Sequence, residues 1–176
     1  MPIKVSILRP GIAVPQPSTN YTSPMLEILI RPADASEKEE LEALQFRASL
    51  TNAGDRDAIL AHPDAIEIPP EQITGGRLFV AVSNGIVVGF AAVEPRPDGG
   101  TELDALFVEP THRRQGIARL LVNHCAEVAR KKGSTALHVI GNPHAEEFYL
   151  DSGFKQIGTF QTRFGSGLLM RKELLQ

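Results

Sequence analysis

The sequence predicts an α/β fold in which helices flank a mixed, twisted and partly antiparallel sheet. Two runs rich in β-branched residues, 78–82 and 86–93, are separated by Asn84 and Gly85, a pair typical of a hairpin turn. A run from 117 to 132 repeats its apolar residues with the period of an amphipathic helix. Strands joined both by tight turns and through single helices give a sheet with both kinds of pairing.

The predicted elements follow the order β-α-α-β-β-β-α-β-α-β-β. Strands are predicted at 26–30, 78–82, 86–93, 101–108, 136–140, 154–160 and 168–171, and helices from 34, near 55–61, at 117–132 and at 143–152. Asp34 followed by Glu37 is a capping-box pattern at the start of the first helix. Gly133 suits a helix end, and Pro143 suits a first helical turn. Three prolines in 62–76 predict a loop there.

Length and composition indicate one domain with an extension at its start. The chain has 176 residues, of which 42% are apolar and 22% charged, and its net charge is −3. No stripe of Lys or Arg predicts a nucleic-acid surface. Residues 1–24 are rich in Pro, Ser, Thr and Asn and are predicted as an extension. This extension would be either a flexible tail or contain a short pairing strand at 3–8. Residues 25–176 form the predicted domain.

Nothing in the sequence predicts a membrane segment or a disulfide. The apolar runs are shorter than a membrane span, and the mildly apolar stretch 1–14 is interrupted by Arg9, Pro10 and Gly11. The single cysteine, Cys125, lies on the apolar face of the helix at 117–132, where it suits a small buried residue. We therefore expect a cytoplasmic protein that does not act on membranes.

The most informative segment lies between the predicted strand at 101–108 and the helix that follows. It consists of Arg113, Arg114, Gln115, Gly116, Ile117 and Ala118. The first N–H groups of a helix have no partner within it, and the helix dipole adds positive charge at the same place, so such a turn suits phosphates. Gly116 lets an oxygen approach the main chain closely. The alternative for the two arginines is an ordinary solvated basic turn.

The spacing Arg113-x-x-Gly116-x-Ala118 resembles the pyrophosphate loop of the GNAT superfamily, the acyl-CoA-dependent N-acyltransferases. Two further stretches of the chain are similar to patterns of that family. They are Leu106-Phe107-Val108-Glu109-Pro110 upstream, and Asn142, Ala145, Phe148, Tyr149, Gly153 and Phe154 downstream. The similarity covers roughly residues 26–172 and implies a GNAT-type sheet. Two motifs in the right order are more specific than a short glycine motif alone.

The resemblance implies how acetyl-CoA is held. Main-chain N–H groups of residues 114–118 would face the pyrophosphate, with the side chains of Arg113 and Arg114 adding charged contacts. In the family the fourth and fifth strands diverge and the pantetheine arm pairs with main chain in the gap, so the cofactor would run beside Leu106, Phe107 and Val108, with pantetheine contacts at the first and third of these. Asn142 would hydrogen-bond the pantetheine arm, and the N–H of Val108 would stabilise the oxyanion.

The catalytic groups are predicted from position and resemblance together. Glu102 and Asp104 are two apart on one strand, so they are expected to share a face with Leu106 and Val108. Glu102 is the first candidate for the general base and Asp104 the second; the alternative is a solvent-facing acid near a hairpin. Tyr149 would protonate the leaving thiolate, unless it is a half-buried tyrosine that only packs its ring.

The predicted function is transfer of an acetyl group from acetyl-CoA to a primary amine by direct attack. Two alternatives are a non-catalytic acyl-CoA-binding or sensing module and, less favoured, a generic nucleotide phosphate binder, although Walker and dinucleotide motifs are lacking. We expect no metal, because no third ligand has zinc-site spacing. The acceptor is expected to be a small-molecule or peptide amine, which Asp55, Asp57, Asp64 and Glu67 would attract unless they form a merely solvated loop. The sequence does not decide between a monomer and a homodimer.

Overall fold

A computed structural model describes residues 27–176 as seven strands in one sheet, with helices on both faces. The strands are β1 (Ile28–Pro32), β2 (Leu78–Ser83), β3 (Ile86–Pro95), β4 (Thr101–Val108), β5 (Ala136–Gly141), β6 (Lys155–Thr162) and β7 (Gly165–Glu173). The helices are α1 (Lys38–Thr51), α2 (Arg56–Ala61), α3 (Pro70–Thr74), α4 (Ile117–Lys131) and α5 (Glu146–Asp151). The predicted extension 1–24 and its strand at 3–8 lie outside the described residues.

The sheet is mixed, as predicted. Its strand order is β1-β2-β3-β4-β5-β7-β6, and β4–β5 is a parallel pair while the other neighbours are antiparallel. A parallel pair needs a crossover, and α4 supplies it between β4 and β5. The carboxyl ends of β4 and β5 therefore lie at the same edge of the sheet.

Each face of the sheet is covered by its own apolar cluster. On one face α4 buries Leu121 and Cys125 against the sheet. On the other face α1 buries Leu41 and Leu44 against Phe90. Burial raises the pKa of the Cys125 thiol to about 12, so it remains protonated and packs as a small apolar group, as predicted.

A glycine allows α4 to pack closely on the sheet. A Cβ at Gly89 in β3 would lie 2.9 Å from the Phe107 carbonyl oxygen and 3.3 Å from Cδ1 of Leu121. Neither neighbour can move away easily, because both belong to packed elements. Any larger residue at position 89 would push α4, and with it the turn at its start, away from β4.

The predicted element order misses one helix. The region 62–76 was expected to be a loop, but it contains a 3₁₀ turn at Pro63–Ala65 and the short helix α3. Prolines at helix starts are compatible with helix, because the first-turn N–H groups lack intrahelical partners anyway. Strand β1 begins two residues later than predicted, and β6 and β7 extend to a tight turn at 163–164. The capping box of Asp34 with Glu37 is present as predicted.

Within residues 27–176, none of the helices combines the length and the apolar character that crossing a membrane requires.

Candidate active site

Strands β4 and β5 pair only at their amino-terminal ends. The register runs from Thr101–Leu137 to Leu103–Val139, and within the described chain residues 105–108 of β4 pair with β3 alone. The two strands therefore diverge beyond Leu103 and leave a gap at their carboxyl ends. Main-chain N–H and C=O groups along such a gap need partners, which an amide-bearing ligand can supply.

The start of α4 faces open space. Gly116 caps the helix with φ +80°, and Arg114 also has a positive φ of 58°. A Cβ at Gly116 would meet no protein atom of the described chain within 4 Å. The Leu120 N–H donates to the Gly116 carbonyl at 3.0 Å, so the N–H groups before it have no helical acceptor. This end of α4 offers several donors and a dipole to an anion.

The side chain of Arg113 does not lie over this turn. Its Nη2 donates to the Ala48 carbonyl at 3.1 Å and to Oδ1 of Asn52 at 2.6 Å, so the guanidinium lies against the end of α1. The phosphate contact of this side chain stays a prediction. Arg114 is exposed beside the turn.

The side chain of Asn142 is likewise engaged, just after β5. Its Nδ2 donates to Oδ1 of Asp55 at 3.0 Å and to the Ala53 carbonyl at 3.3 Å, and its Oδ1 accepts from the His144 N–H at 2.9 Å. The donor that was predicted to hold the pantetheine arm thus contacts the loop between α1 and α2.

Tyr149 lies in the apolar cluster under α4. The phenol ring forms edge contacts with Phe148 and Phe154, with centroids 5.3 and 5.5 Å away, and a Cβ at Gly141 would lie 2.9 Å from its Cε2. Gly141 ends β5, so the ring lies at the border of the gap. Burial raises the pKa of Tyr149 to about 12. The phenol is therefore neutral at physiological pH and carries a proton that it can donate.

The predicted face shared by Glu102, Asp104, Leu106 and Val108 is wrong. The β3–β4 register shifts because Val93 pairs with Leu103 and Ala92 pairs with Ala105, which leaves Asp104 as a bulge. Leu103, Leu106 and Val108 therefore pack in the α4 cluster, whereas Ala105 and Phe107 pack in the α1 cluster. Glu102, next to Leu103 on the strand, points to the α1 face.

Both candidate bases have polar partners. Nη1 of Arg96 donates to Oε2 of Glu102 at 3.1 Å, and Arg96 is held in turn by Asp98 at 3.0 Å. The hydrogen bonds from Arg96 and from the Gly100 N–H lower the pKa of Asp98 to about 2. Asp104 accepts from Nε2 of the buried Gln72 at 2.7 Å. Arg96 and Gln72 carry no local sequence signal, because their contacts depend on strand register and on a helix that was predicted as loop.

A cavity of about 400 Å³ lies near the amino ends of β4 and β5, where Gly100 and Ala136 are among its lining residues. Arg96, His138 and Arg171 line it, and the β4–β5 register places His138 directly beside Glu102. Burial, together with the charge of Arg96, lowers the pKa of His138, which favours a neutral imidazole.

Residues 27–176 contain no group of three or more His, Cys, Asp or Glu side chains arranged to hold a metal ion.

A gap between two parallel strands that leads to an open helix start is the geometry implied by the resemblance, and comparison with known families agrees. Residues 39–154 match the model of the Acetyltransferase (GNAT) family. The chain belongs to the GNAT acetyltransferase family. This GNAT protein is therefore an acyltransferase.

Relatives and solved structures support the same assignment. Peptidyl-lysine N-acetyltransferase YjaB of Salmonella typhimurium is 32% identical over 132 residues, which cover 74% of the GNAT chain and 86% of that relative. Two other curated relatives are matched over only 38% and 41% of their own lengths.

Two solved structures share the fold. A GCN5-related N-acetyltransferase from Rhodopseudomonas palustris has a TM-score of 0.69 at 21% identity, covering 85% of this chain and 98% of that one. The structure of yncA from Salmonella typhimurium with its cofactor acetyl-CoA has a TM-score of 0.63 at 23% identity, covering 85% and 95%. At these identities the likeness is one of fold.

Proposed function

We propose that this GNAT protein transfers an acetyl group from acetyl-CoA to a primary amine by direct attack in a ternary complex. The observation that carries the proposal is that β4 and β5 separate at the end from which the chain continues to the open start of α4. Coenzyme A has a diphosphate at one end of an amide-bearing arm, so one molecule satisfies both features. The acetyl thioester then lies where β4 and β5 separate.

In this proposal, most of the contacts with coenzyme A come from main-chain groups. N–H groups of residues 114–118 bind the diphosphate, helped by the exposed side chain of Arg114. The pantetheine arm pairs with the main chain of β4 at Leu106 and Val108, which no longer pairs with β5. The Val108 N–H stabilises the oxyanion, a contribution of about 3 kcal/mol for one well-placed donor.

Proton transfers are assigned to two side chains. Glu102, which points to the α1 face and is paired with Arg96, removes a proton from the attacking amine directly or through a water, with Asp104 as the alternative base. Tyr149, at the border of the gap, protonates the thiolate as it leaves. Its high pKa keeps the proton available throughout the physiological range.

The first acceptor to test is the side-chain amine of a lysine in a peptide. The relative named for peptidyl-lysine acetylation is similar over most of both chains. Small amines are the second acceptor class in this proposal.

Ligand stabilisation and thiol release test the proposal together. A ligand at one hundred times its Kd adds about 2.7 kcal/mol to the free energy of unfolding, so acetyl-CoA and CoA should raise Tm while ATP and NAD should not. Release of free CoA should then depend on lysine peptides or amines. Stabilisation by acetyl-CoA without turnover on any amine would instead favour a non-catalytic binding module.

Glu102→Gln is expected to lower kcat/KM by about a hundredfold and to flatten the acidic limb of its pH profile. The amide cannot accept the amine proton, while the side chain keeps its length and can still contact Arg96. The measurement is the pH dependence of kcat/KM, with Asp104→Asn as the matched control, which should keep the limb. If the limb persists in Glu102→Gln and disappears in Asp104→Asn, the base is Asp104.

A further inference from the structure

The side chain of Asp104 lies where the gap between β4 and β5 begins. Leu103 is the last residue of β4 that pairs with β5, and the register between β3 and β4 passes over residue 104. Among the described residues, Asp104 therefore has no cross-strand partner on either side. Its side chain is exposed, and the sheet alone does not fix the direction in which it points. A carboxylate at this point is accessible to a molecule that approaches the gap.

A buried amide holds this carboxylate. Gln72 in α3 is 4% exposed, and its Nε2 donates to Oδ2 of Asp104 at 2.7 Å. The next residue, Ile73, packs in the apolar cluster under α1, so α3 lies on the α1 face of the sheet. A buried amide needs hydrogen-bond partners, and here the partner is the residue that the ladder leaves free. Gln72 therefore directs the Asp104 side chain to the face on which Glu102 also lies.

Gln72 orients the carboxylate without neutralising it, because an amide is an uncharged donor. Glu102, by contrast, is paired with the guanidinium of Arg96 at 3.1 Å, which compensates its charge. No ion pair within residues 27–176 includes Asp104. In the described chain, the carboxylate of Asp104 thus lacks a cationic partner, and its Oδ1 lacks a side-chain donor.

A primary amine reaches such a carboxylate as a cation. The side chain of lysine has an ordinary pKa of about 10.4, so it is an ammonium ion at physiological pH. An ammonium group has three N–H donors and forms strong hydrogen bonds with a carboxylate. In the proposed function, the acetyl thioester lies where β4 and β5 separate, and this is also the position of Asp104.

We propose that Asp104 binds the ammonium group of the acceptor and that Gln72 is a positioning residue that aims this carboxylate. The inference rests on the proposed function for the place of the thioester, and it adds that the acceptor is recognised as a cation. Binding moves no proton: the acceptor stays an ammonium ion beside Asp104 until Glu102 removes one proton for the attack. The two carboxylates thus have separate tasks, recognition of charge and removal of a proton.

The binding of two matched peptides tests the role of Asp104. One is a short peptide with blocked ends and a central lysine, and the other has norleucine in place of the lysine, which keeps the carbon chain without the charge. Both are titrated into protein saturated with CoA, where no acetyl transfer occurs, and Kd is measured by NMR. The variants are Asp104→Asn, whose oxygen can still accept from Gln72, and the control Glu71→Gln, which removes an exposed charge from the neighbouring residue of α3.

Asp104→Asn is expected to weaken binding of the lysine peptide about fivefold and to leave the Kd of the norleucine peptide unchanged. Glu71→Gln should change neither Kd. The inference is overturned if wild type does not bind the lysine peptide more tightly than the norleucine peptide, or if Asp104→Asn binds the lysine peptide as wild type does. Loss of the acidic limb of the kcat/KM profile in Asp104→Asn would also overturn it, because Asp104 would then be the base.

A double-mutant cycle tests Gln72. Gln72→Met keeps a side chain of similar size in the buried position and removes the donor to Asp104. It should weaken binding of the lysine peptide about threefold in wild type and have no further effect in the Asp104→Asn background, because Gln72 acts through that carboxylate. A purely structural role would weaken both peptides, and by the same factor in either background, which would overturn the positioning role.

The titrations require no turnover, so the proposed function and the ammonium site fail separately. If wild type acetylates no amine but prefers the lysine peptide through Asp104, the proposed function fails and the ammonium site stands. If wild type acetylates amines and Asp104→Asn changes neither the Kd nor the KM of the lysine peptide, the ammonium site is wrong and the proposed function stands.

Discussion

Gly116→Glu is expected to abolish coenzyme A binding while the protein stays folded. The residue has φ +80°, and the space where its Cβ would project is free of protein atoms in the described chain. A glutamate there fills the space that we assign to the diphosphate and adds a negative charge beside it. We expect affinity for CoA to fall by at least about a hundredfold, as measured by isothermal titration calorimetry.

The cost to folding should be small. A residue with a Cβ at positive φ loses about 1 kcal/mol, and a carboxylate at a helix start recovers about 0.5 kcal/mol of this. Gly99→Glu is the matched control, because Gly99 has φ +82°, is equally free of neighbours and lies in the turn before β4, at the opposite edge of the sheet. The control should bind CoA normally. Normal binding by Gly116→Glu would mean that the diphosphate lies elsewhere.

Local signals explain why the phosphate turn could be predicted from sequence. The strand, the glycine and the periodic helix are consecutive, and the bounds of β4 match the prediction at both ends. The resemblance to the GNAT family also implied that β5 is the strand beside β4 and that the two strands diverge. The helical stretch that carries Tyr149 was accessible for the same reason, since its signals lie in one short segment of the sequence.

Features that depend on contacts distant in sequence could not be predicted. The bulge at Asp104 exists only in the pairing of β4 with β3, and it reverses which later side chains share a face with Glu102. A period-two pattern carries no sign of such a shift. The contacts of Arg113 and Asn142 with the loop at 52–55 join residues 61 to 89 positions apart. In the sequence, a basic and a polar side chain at these two positions suit a bound ligand equally well.

Tyr149→Phe is expected to lower the rate of acetyl transfer by about a hundredfold with little change in the Kd for acetyl-CoA. The substitution keeps the ring, and with it the contacts to Phe148, Phe154 and Gly141, so the fold and the gap are preserved. Only the proton donor to the leaving thiolate is lost. Single-turnover measurements are the appropriate test, because slow product release cannot then hide a change in the chemical step.

The titration of Tyr149 provides an independent check on where the phenol lies. Its pKa in the folded protein, about 12, exceeds the ordinary value of about 10, so the unfolded chain releases this proton first as pH rises. The free energy of unfolding contributed by the neutral phenol is therefore complete below about pH 10 and falls as pH rises toward 12. Tyr149→Phe should lose less stability than wild type over this range in urea titrations.

If the rate of transfer is unchanged in Tyr149→Phe while this difference in stability appears, the phenol is buried as described but takes no part in the reaction. A rate that falls together with affinity for acetyl-CoA would instead indicate that the hydroxyl helps to bind the cofactor.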